Sequence, residues 1–185
     1  MSLRSGIDLL QSEIQSEGLS PENGLGTDLF NYVSTLTPIV NVDLFVVNSS
    51  HQILLSWRDD PNSGTGWYVP GGCIRYREPI EERIHKTAKS ELGQDVIVDS
   101  DMIGVYEIIR CKYAVRGHFI SLAYRCKFVS EFDTNKQKKA INEPGYLKWF
   151  NELPDNFLQA QACYKKDWIN IKSKLWRKFY GTLEK

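Results

Sequence analysis

The sequence lacks an excess of charge of either sign. Its 23 lysines and arginines balance its 23 aspartates and glutamates, so no overall electric field directs the chain toward nucleic acid or a membrane surface. It also lacks an apolar run of transmembrane length, and it begins without a basic segment followed by an apolar core. We therefore expect a cytoplasmic protein that binds neither nucleic acid nor membranes.

Cysteine is scarce as well. The four cysteines form neither a CxxC pair nor the spacing of a metal site, and they are Cys73, Cys111, Cys126 and Cys163. Free thiols in a reducing compartment are the expectation. With 185 residues, of which 42% are hydrophobic, the chain is long enough for one substantial core and too short for two comfortable domains.

Residues 67–96 have the pattern of a strand, a glycine loop and a helix. An apolar run ends at Gly71 and Gly72, and the missing side chains of the two glycines let the backbone approach a ligand closely. Pro79 suits a first helical turn, and Gly93 supplies a C-terminal stop. Apolar residues recur every four positions between them, which predicts one buried helix face. These residues are Ile80, Ile84, Ala88 and Leu92.

The remaining patterns predict a mixed α/β domain with extra helices at both ends. Strands are expected over 39–47, 52–58, 96–100, 103–110, 118–129 and 147–150, with the first two forming a hairpin and residues 59–66 forming a loop. We expect a helical extension over 1–36, the domain itself over 37–153 and a C-terminal helix over 154–185. An apolar stripe at Trp168, Ile171, Leu175 and Phe179 favours packing of that helix over nucleic-acid contact.

Residues 72–93 resemble the Nudix box. Its pattern is glycine, five residues, glutamate, seven residues, then Arg-Glu-apolar-any-Glu-Glu-any-Gly. Five residues fall on this pattern in register, namely Gly72, Glu78, Ala88, Glu91 and Gly93. The resemblance implies a Nudix α/β/α sandwich with a mixed sheet, and it implies carboxylates that bind divalent cations on a diphosphate substrate.

The box departs from the pattern at three carboxylate or arginine positions. Lys86 and Thr87 stand in place of Arg-Glu, and Ser90 replaces the first residue of Glu-Glu. Together with the flanking TPIVNVDLFVVN and LLSWRDD, this depleted box is similar to the GDP-mannose mannosyl hydrolase branch. That resemblance implies fewer metal ions, with Mg²⁺ expected and Mn²⁺ as the alternative, and a homodimer.

The branch also implies the residues that act on the substrate. Glu91 and the backbone carbonyl of Gly71 are expected to hold the metal ion, with Glu143 as a further ligand or as the general base. The branch has its histidine base where this chain has Pro144. His118 is therefore a second candidate base, because an imidazole titrates near neutrality.

Two residues match substrate contacts in that branch. Arg58 matches an arginine on the diphosphate leaving group, and Asp43 matches an acid close to the sugar. An acid inside an apolar strand is costly unless it is paired, so Asp43 is either functional or buried with a partner such as Arg58.

Three further positions bear on the substrate. Cys73 takes the place of a phosphate-contacting arginine, for which Arg75 is the expected substitute. Phe119 stands where the branch has a tyrosine. Lys86 either supports Glu78 or contacts phosphate.

The sequence therefore predicts Mg²⁺-dependent hydrolysis of a nucleoside diphosphate linked to another moiety. A nucleotide sugar such as GDP-mannose is expected, with water attacking the anomeric carbon and releasing sugar and nucleoside diphosphate. Two alternatives stay open. One is cleavage at phosphorus, which gives a nucleoside monophosphate. The other is a catalytically silent Nudix domain that binds a nucleotide.

Overall fold

The computed structural model describes residues 2–20, 22, 24–61, 63–134 and 137–176. Its strands are β1 (Ile39–Val46), β2 (Ile53–Asp60), β3 (Gly64–Tyr68), β4 (Gly71–Cys73), β5 (Val96–Ile109), β6 (His118–Phe128) and β7 (Leu147–Phe150). Its α-helices are α1 (Leu3–Ser16), α2 (Gly26–Val33), α3 (Ile80–Thr87), α4 (Ala162–Lys166) and α5 (Trp168–Leu175). A π-helical turn (Ala88–Leu92) continues α3, and a short 3₁₀ turn (Gln159–Gln161) precedes α4.

The strands form two sheets. One is mixed, with the order β4-β1-β6-β5, and β1 and β6 run parallel in it. The other has the order β3-β2-β7 and is antiparallel. The predicted mixed sheet flanked by helices is therefore confirmed, and β1 is the central strand that its β-branched sequence predicts.

Three strand predictions need correction. The turn after β1 closes as expected, because Val47 pairs with Ile53, but beyond that pair β1 and β2 separate into different sheets. The predicted loop over 59–66 is shorter, since β2 continues to Asp60 and β3 begins at Gly64. The two strands expected over 96–110 are one strand, β5, whose register shifts near Met102, because bulges interrupt the alternation without ending the strand.

The core lies on both faces of β1. One set of its side chains, including Leu44, packs with Ile84, Ala88 and Leu92, three of the four residues predicted for the buried face of the helix. The prediction is wrong for the fourth, Ile80, which is 40% exposed because it begins the helix at the edge of this cluster. The opposite set, including Phe45, packs in a second cluster that contains the C-terminal helices. Alternate side chains of a strand point to opposite faces, so β1 packs against α3 on one face and against the C-terminal helices on the other.

The C-terminal helices are part of this core. Tyr164, Ile171 and Leu175 have no exposed surface, and the buried Arg125 donates from Nη1 to the carbonyl oxygen of Lys174 over 2.5 Å. Phe179, which we placed on the same stripe, lies outside the described residues. The N-terminal α1 differs, because none of its residues is buried. Within the described part of the chain, no helix is both long enough and apolar enough to cross a membrane.

Candidate active site

The two glycines after β3 sit where a side chain has no room. Gly71 pairs with Asp43 across β1 and β4, and a Cβ on Gly71 would lie 2.0 Å from Asp43 Oδ1. A Cβ on Gly72 would lie 2.3 Å from Thr87 Oγ1. Both positions therefore require glycine, because the backbone packs directly on the strand on one side and on the helix on the other.

The helix that follows changes its winding at the candidate site. It is α-helical to Thr87 and π-helical from Ala88 to Leu92, and Gly93 ends it with φ of +78°. Short π-helical turns occur frequently at functional sites because the extra residue turns side chains out of the regular helical register. Glu91 lies within this turn.

Glu91 accepts a hydrogen bond from a tyrosine on which an arginine stacks. The hydroxyl of Tyr68 donates to Glu91 Oε2 over 2.5 Å, and the Arg58 guanidinium lies 4.0 Å from the centre of the Tyr68 ring. Burial and the charge of Glu91 raise the pKa of Tyr68 to about 12, so its hydroxyl stays a donor. Arg58 also contacts Asp60, with Nε and Oδ2 3.5 Å apart.

Glu78 links the helix to the loop that follows the glycine pair. It accepts a forked pair of bonds from Arg83, over 2.7 and 2.9 Å, and a bond of 3.0 Å from the Arg75 backbone N–H. Lys86 Nζ reaches it over 3.2 Å. Burial alone would raise the pKa of Glu78, but these donors outweigh that effect and lower it. Sequence reasoning identified Lys86 and missed Arg83, whose place among the buried residues of the helix depends on the fold.

Asp43 is buried in a closed hydrogen-bond network. Asn41 Nδ2 donates to its Oδ1 over 2.9 Å, and the Tyr164 hydroxyl donates to its Oδ2. Ser121 in turn donates to Asn41 Oδ1 over 2.8 Å. Burial raises the pKa of Asp43 to about 6, with the Tyr164 bond and the charge of Arg58 opposing the rise. Asp43 is therefore paired, mainly with Tyr164 and Asn41.

Two cavities adjoin at these residues. The first, the aspartate cavity, has a volume of about 250 Å³ and is lined by polar groups and by the glycine pair. Its polar lining includes Asn41, Asp43, Ser121 and Gln161. The second, the glutamate cleft, has a volume of about 450 Å³ and is lined by Ser90 and Glu91 together with Trp57, Lys139 and Pro144. Four residues line both, namely Arg58, Ser63, Tyr68 and Arg116.

Gln161 closes the aspartate cavity from the C-terminal side. Its Oε1 accepts from the Val69 N–H over 2.8 Å, and its Nε2 donates to the Val69 carbonyl over 3.0 Å. This pair of bonds ties the 3₁₀ turn to the strand that leads into the glycine loop. Gln161 and Tyr164 carry no motif, so the sequence offered no signal for either beyond their polar character.

Not all predicted site residues meet. Gly71, Asp43 and Arg58 line the aspartate cavity, and Glu91 lines the glutamate cleft. Lys86 pairs with Glu82 over 2.6 Å, and Arg75 Nη1 donates to the Glu22 carbonyl over 2.9 Å. Neither of these two residues lines the aspartate cavity or the glutamate cleft.

The two candidate bases also lie apart from both cavities. Glu143 Oε2 accepts from the Ala140 backbone N–H over 2.9 Å and is exposed, although the next residue, Pro144, lines the glutamate cleft. His118 Nε2 lies 3.2 Å from Glu107 Oε1 on the neighbouring strand. Their roles as base stay predictions.

The described residues offer few ligands for a metal ion. In the described ranges, no group of three or more acidic, histidine or cysteine side chains could hold a metal ion together. Thr87 and Ser90 occupy carboxylate positions of the box, and within the described chain Thr87 Oγ1 is buried with no hydrogen-bond partner. Mg²⁺ binds through one or two carboxylates when phosphate and water oxygens complete its octahedron. Glu91 lines the glutamate cleft and Gly71 lines the aspartate cavity, so their joint role as metal ligands stays a prediction.

No protein-family model matches the chain. The chain is 27% identical over 133 residues to the low-salt glycan biosynthesis protein Agl8 of Haloferax volcanii, which covers 68% of this chain and 84% of that protein.

Solved structures are similar over most of the chain. A MutT Nudix hydrolase from Burkholderia pseudomallei is 24% identical with a TM-score of 0.52, covering 74% of this chain and 97% of that one. A UDP-X diphosphatase is 18% identical with a TM-score of 0.55, covering 96% of this chain and 82% of that one. The fold of this chain is that of the Nudix hydrolases, as the residues from Gly72 to Gly93 predict.

Proposed function

We propose that this protein hydrolyses a nucleoside diphosphate linked to another moiety, with a nucleotide sugar such as GDP-mannose as the substrate. The Nudix hydrolase fold supports a hydrolase that acts at a pyrophosphate group. One observation carries the finer proposal: the cavity that Asp43 lines adjoins the cleft of Glu91, and Arg58 lines both. A linear substrate with a sugar, a diphosphate and a nucleoside needs such a continuous path.

The aspartate cavity suits the sugar. Its lining combines a carboxyl group, two amides, three hydroxyls and three guanidinium groups with apolar surface, and placed polar groups among apolar side chains are typical of small-molecule sites. Asp43 and Asn41 are held by each other and by Tyr164 and Ser121 before a ligand arrives. Little side-chain ordering is then needed on binding, which favours affinity for a ligand whose hydroxyls match this arrangement.

The diphosphate belongs at the junction of the cavity and the cleft. Arg58 neutralises the charge that develops on the nucleoside diphosphate as it leaves, if water attacks the anomeric carbon. Mg²⁺, or Mn²⁺ in its place, would be held by Glu91 and the Gly71 carbonyl and would add positive charge at the same group. Glu143 and His118 remain the candidate bases, and each would have to change its present hydrogen bonding to reach a substrate.

Two relatives support a nucleotide-sugar substrate. Agl8 is a glycan biosynthesis protein, and glycan biosynthesis uses activated sugars. The match to the UDP-X diphosphatase structure covers 96% of this chain, so the structural similarity includes residues outside 37–153. These names describe the two other proteins, and we use them here to choose the substrates to test.

The test is a phosphorus NMR time course with Mg²⁺ and a panel of nucleotide sugars that includes GDP-mannose and GDP-glucose. We expect a nucleoside diphosphate and free sugar. A nucleoside monophosphate with a sugar phosphate would show cleavage at phosphorus. Nucleotide binding that is insensitive to Mg²⁺, with no product across the panel, would instead support the silent binding domain.

We also propose a homodimer that uses α1. Leu3, Ile7 and Leu10 lie on this helix with exposed side chains, and Leu3 is 83% exposed. A helix of 14 residues is marginal by itself in water, so its apolar stripe needs a partner surface. Sedimentation velocity should show a dimer that dissociates in Ile7→Glu/Leu10→Glu and persists in the polar control Gln11→Glu. A wild-type monomer would contradict this proposal.

A further inference from the structure

Arg116 has an unusual place and conformation. It lies on the connection between β5 and β6, and its backbone φ is +52°, in a region that residues other than glycine rarely occupy. Backbone strain of this kind persists only where the surroundings fix it, and it concentrates at ligand sites. The contacts of Arg116 show what fixes it.

Helix α2 and its C-cap hold this arginine from two directions. The Arg116 backbone N–H donates to Ser34 Oγ over 2.9 Å, and its side-chain Nε donates to Asn31 Oδ1 over 2.9 Å. The guanidinium carbon lies 4.9 Å from the centre of the Phe30 ring. Because Nε is used by Asn31, the terminal nitrogens are the part of the guanidinium that remains for a ligand.

Arg116 lines three cavities. Besides the aspartate cavity and the glutamate cleft, it lines a third cavity of about 790 Å³ between α2 and the loop after β4, called here the α2 cavity. Among the described residues, no other one lines all three. Arg116 is thus at the point where an elongated ligand would pass from one cavity to the next.

The charge of Arg116 is available to a ligand at this junction. Within the described part of the chain, no carboxylate forms an ion pair with its guanidinium. Burial raises the pKa of the Cys73 thiol beside the glycine pair, and the positive charge of Arg116 opposes that rise. The four residues shared by the aspartate cavity and the glutamate cleft comprise two arginines, a serine and a tyrosine, with no acid among them. This composition suits an anion with several oxygens, since a guanidinium binds such groups in a fork.

We propose that Arg116 binds the diphosphate of the substrate together with Arg58, and that α2 is part of the active site because it sets the position of this guanidinium. The inference rests on the proposed function in one respect, namely that the ligand contains a diphosphate. Asn31 and Ser34 are then positioning residues, while Arg116 contacts the ligand. The N-terminal segment thereby has a role in catalysis that the Nudix box does not reveal.

The experiment measures binding of inorganic pyrophosphate and of GDP by calorimetry without metal, in wild type, Arg116→Gln and Arg77→Gln. Arg77 is a matched control, because it also has positive φ, of +60°, and stacks on an aromatic ring, Tyr76, at 5.0 Å. It is exposed and lines none of the three cavities. We expect binding to weaken at least about tenfold in Arg116→Gln and less than about twofold in Arg77→Gln.

Two further variants separate charge from folding. Arg116→Lys retains the charge and should recover part of the pyrophosphate affinity that Arg116→Gln loses. Asn31→Ala retains the arginine and removes one anchor, so it should weaken binding by a smaller factor, about threefold, with thermal unfolding close to that of wild type. In turnover, the loss in both should appear mainly as a raised KM with kcat little changed, since the diphosphate carries charge in the ground state as well as in the transition state.

The outcomes distinguish this inference from the proposed function. If wild type binds pyrophosphate and Arg116→Gln binds it equally well, the inference is overturned whatever the enzyme hydrolyses. Absence of pyrophosphate and GDP binding in wild type would overturn it as well. If Arg116→Gln loses binding while no nucleotide sugar is turned over, the inference stands and the proposed function fails.

Discussion

The acidic side chains of the aspartate cavity and the glutamate cleft differ in how many hydrogen bonds they already accept. In the cavity, Asp43 is buried and both its oxygens already accept hydrogen bonds, from Asn41 and from Tyr164. In the cleft, Glu91 has one tyrosine donor, and Ser90 stands where the box places a carboxylate. The protein thus preorganises the end that we assign to the sugar, whereas the end that we assign to the metal ion offers fewer ligands of its own.

The largest effect should come from Glu91→Gln. The amide has the same shape, but it removes the negative charge that a divalent cation needs at this position. We expect Mg²⁺-dependent kcat/KM to fall on the order of 10²–10³-fold with an unchanged circular dichroism spectrum. Glu82→Gln is the control, since Glu82 is an exposed acid on the same helix that pairs with Lys86 and lines neither cavity. Turnover of Glu91→Gln at the wild-type rate would refute the metal assignment.

Removal of Arg83, the forked partner of Glu78, should have the next largest effect. Arg83→Met leaves Glu78 buried without its forked partner, and we expect a loss of about 3 kcal/mol in the free energy of unfolding. Lys86→Met should change stability little, because Lys86 is largely in solvent and exposed ion pairs contribute little. Urea unfolding of the two variants measures the difference. Equal losses would mean that Lys86 organises the loop, as the sequence suggested.

The buried carboxyl should make stability depend on pH. Asp43 has a pKa raised to about 6 in the fold from 3.8, so the folded state binds the proton more tightly than the unfolded state. Its contribution is then fully present below pH 3.8 and is lost as pH rises through about 6. The loss amounts to at most about 3 kcal/mol.

Denaturant unfolding between pH 4 and pH 7 measures this contribution. The stability of wild type relative to Asp43→Asn should fall over that interval, because the amide does not titrate. Groups that act on Asp43, including Tyr164 and Arg58, keep their charge states there, since the pKa of Tyr164 is raised well above 10 and that of Arg58 is also raised. Parallel pH profiles for the two proteins would contradict the raised pKa.

The smallest effect should come from adding a carboxylate to the cleft. Ser90→Glu places an acid at an exposed position of the cleft, beside Glu91, and should tighten Mn²⁺ binding about tenfold, whereas Ser90→Gln should not. Titration of Mn²⁺ followed by water-proton relaxation compares the three proteins. If Ser90→Glu binds Mn²⁺ no better than Ser90→Gln, the cleft is not short of carboxylates.

The sequence predicted the parts of this site that are local in the chain. The register from Gly72 to Gly93 lies within one loop and helix, and β1 has an apolar pattern, so both could be recognised before the fold. The sequence could not show that β2 belongs to a different sheet from β1. A turn of four residues is compatible with a hairpin and also with strands that separate after the first pair.

Long-range contacts account for what was missed. Tyr164 reaches Asp43 across 121 residues, and Asn31 reaches Arg116 across 85. No local period or motif marks such pairs, since the partners meet only after the sheet and both terminal helical segments have packed. Arg83 was missed for a related reason: it lies five residues after Glu78, which is not a spacing of neighbours on one helix face, and the pair forms because Glu78 precedes the helix.

The most direct measurement is turnover of GDP-mannose in water enriched in ¹⁸O, with mass spectrometry of both products. Attack at the anomeric carbon, with the sugar held in the aspartate cavity, places the label in the released sugar and leaves the nucleoside diphosphate unlabelled. We expect this result. Label on a phosphorus-containing product would show attack at phosphorus, and it would contradict the assignment of the cavity to the reacting sugar.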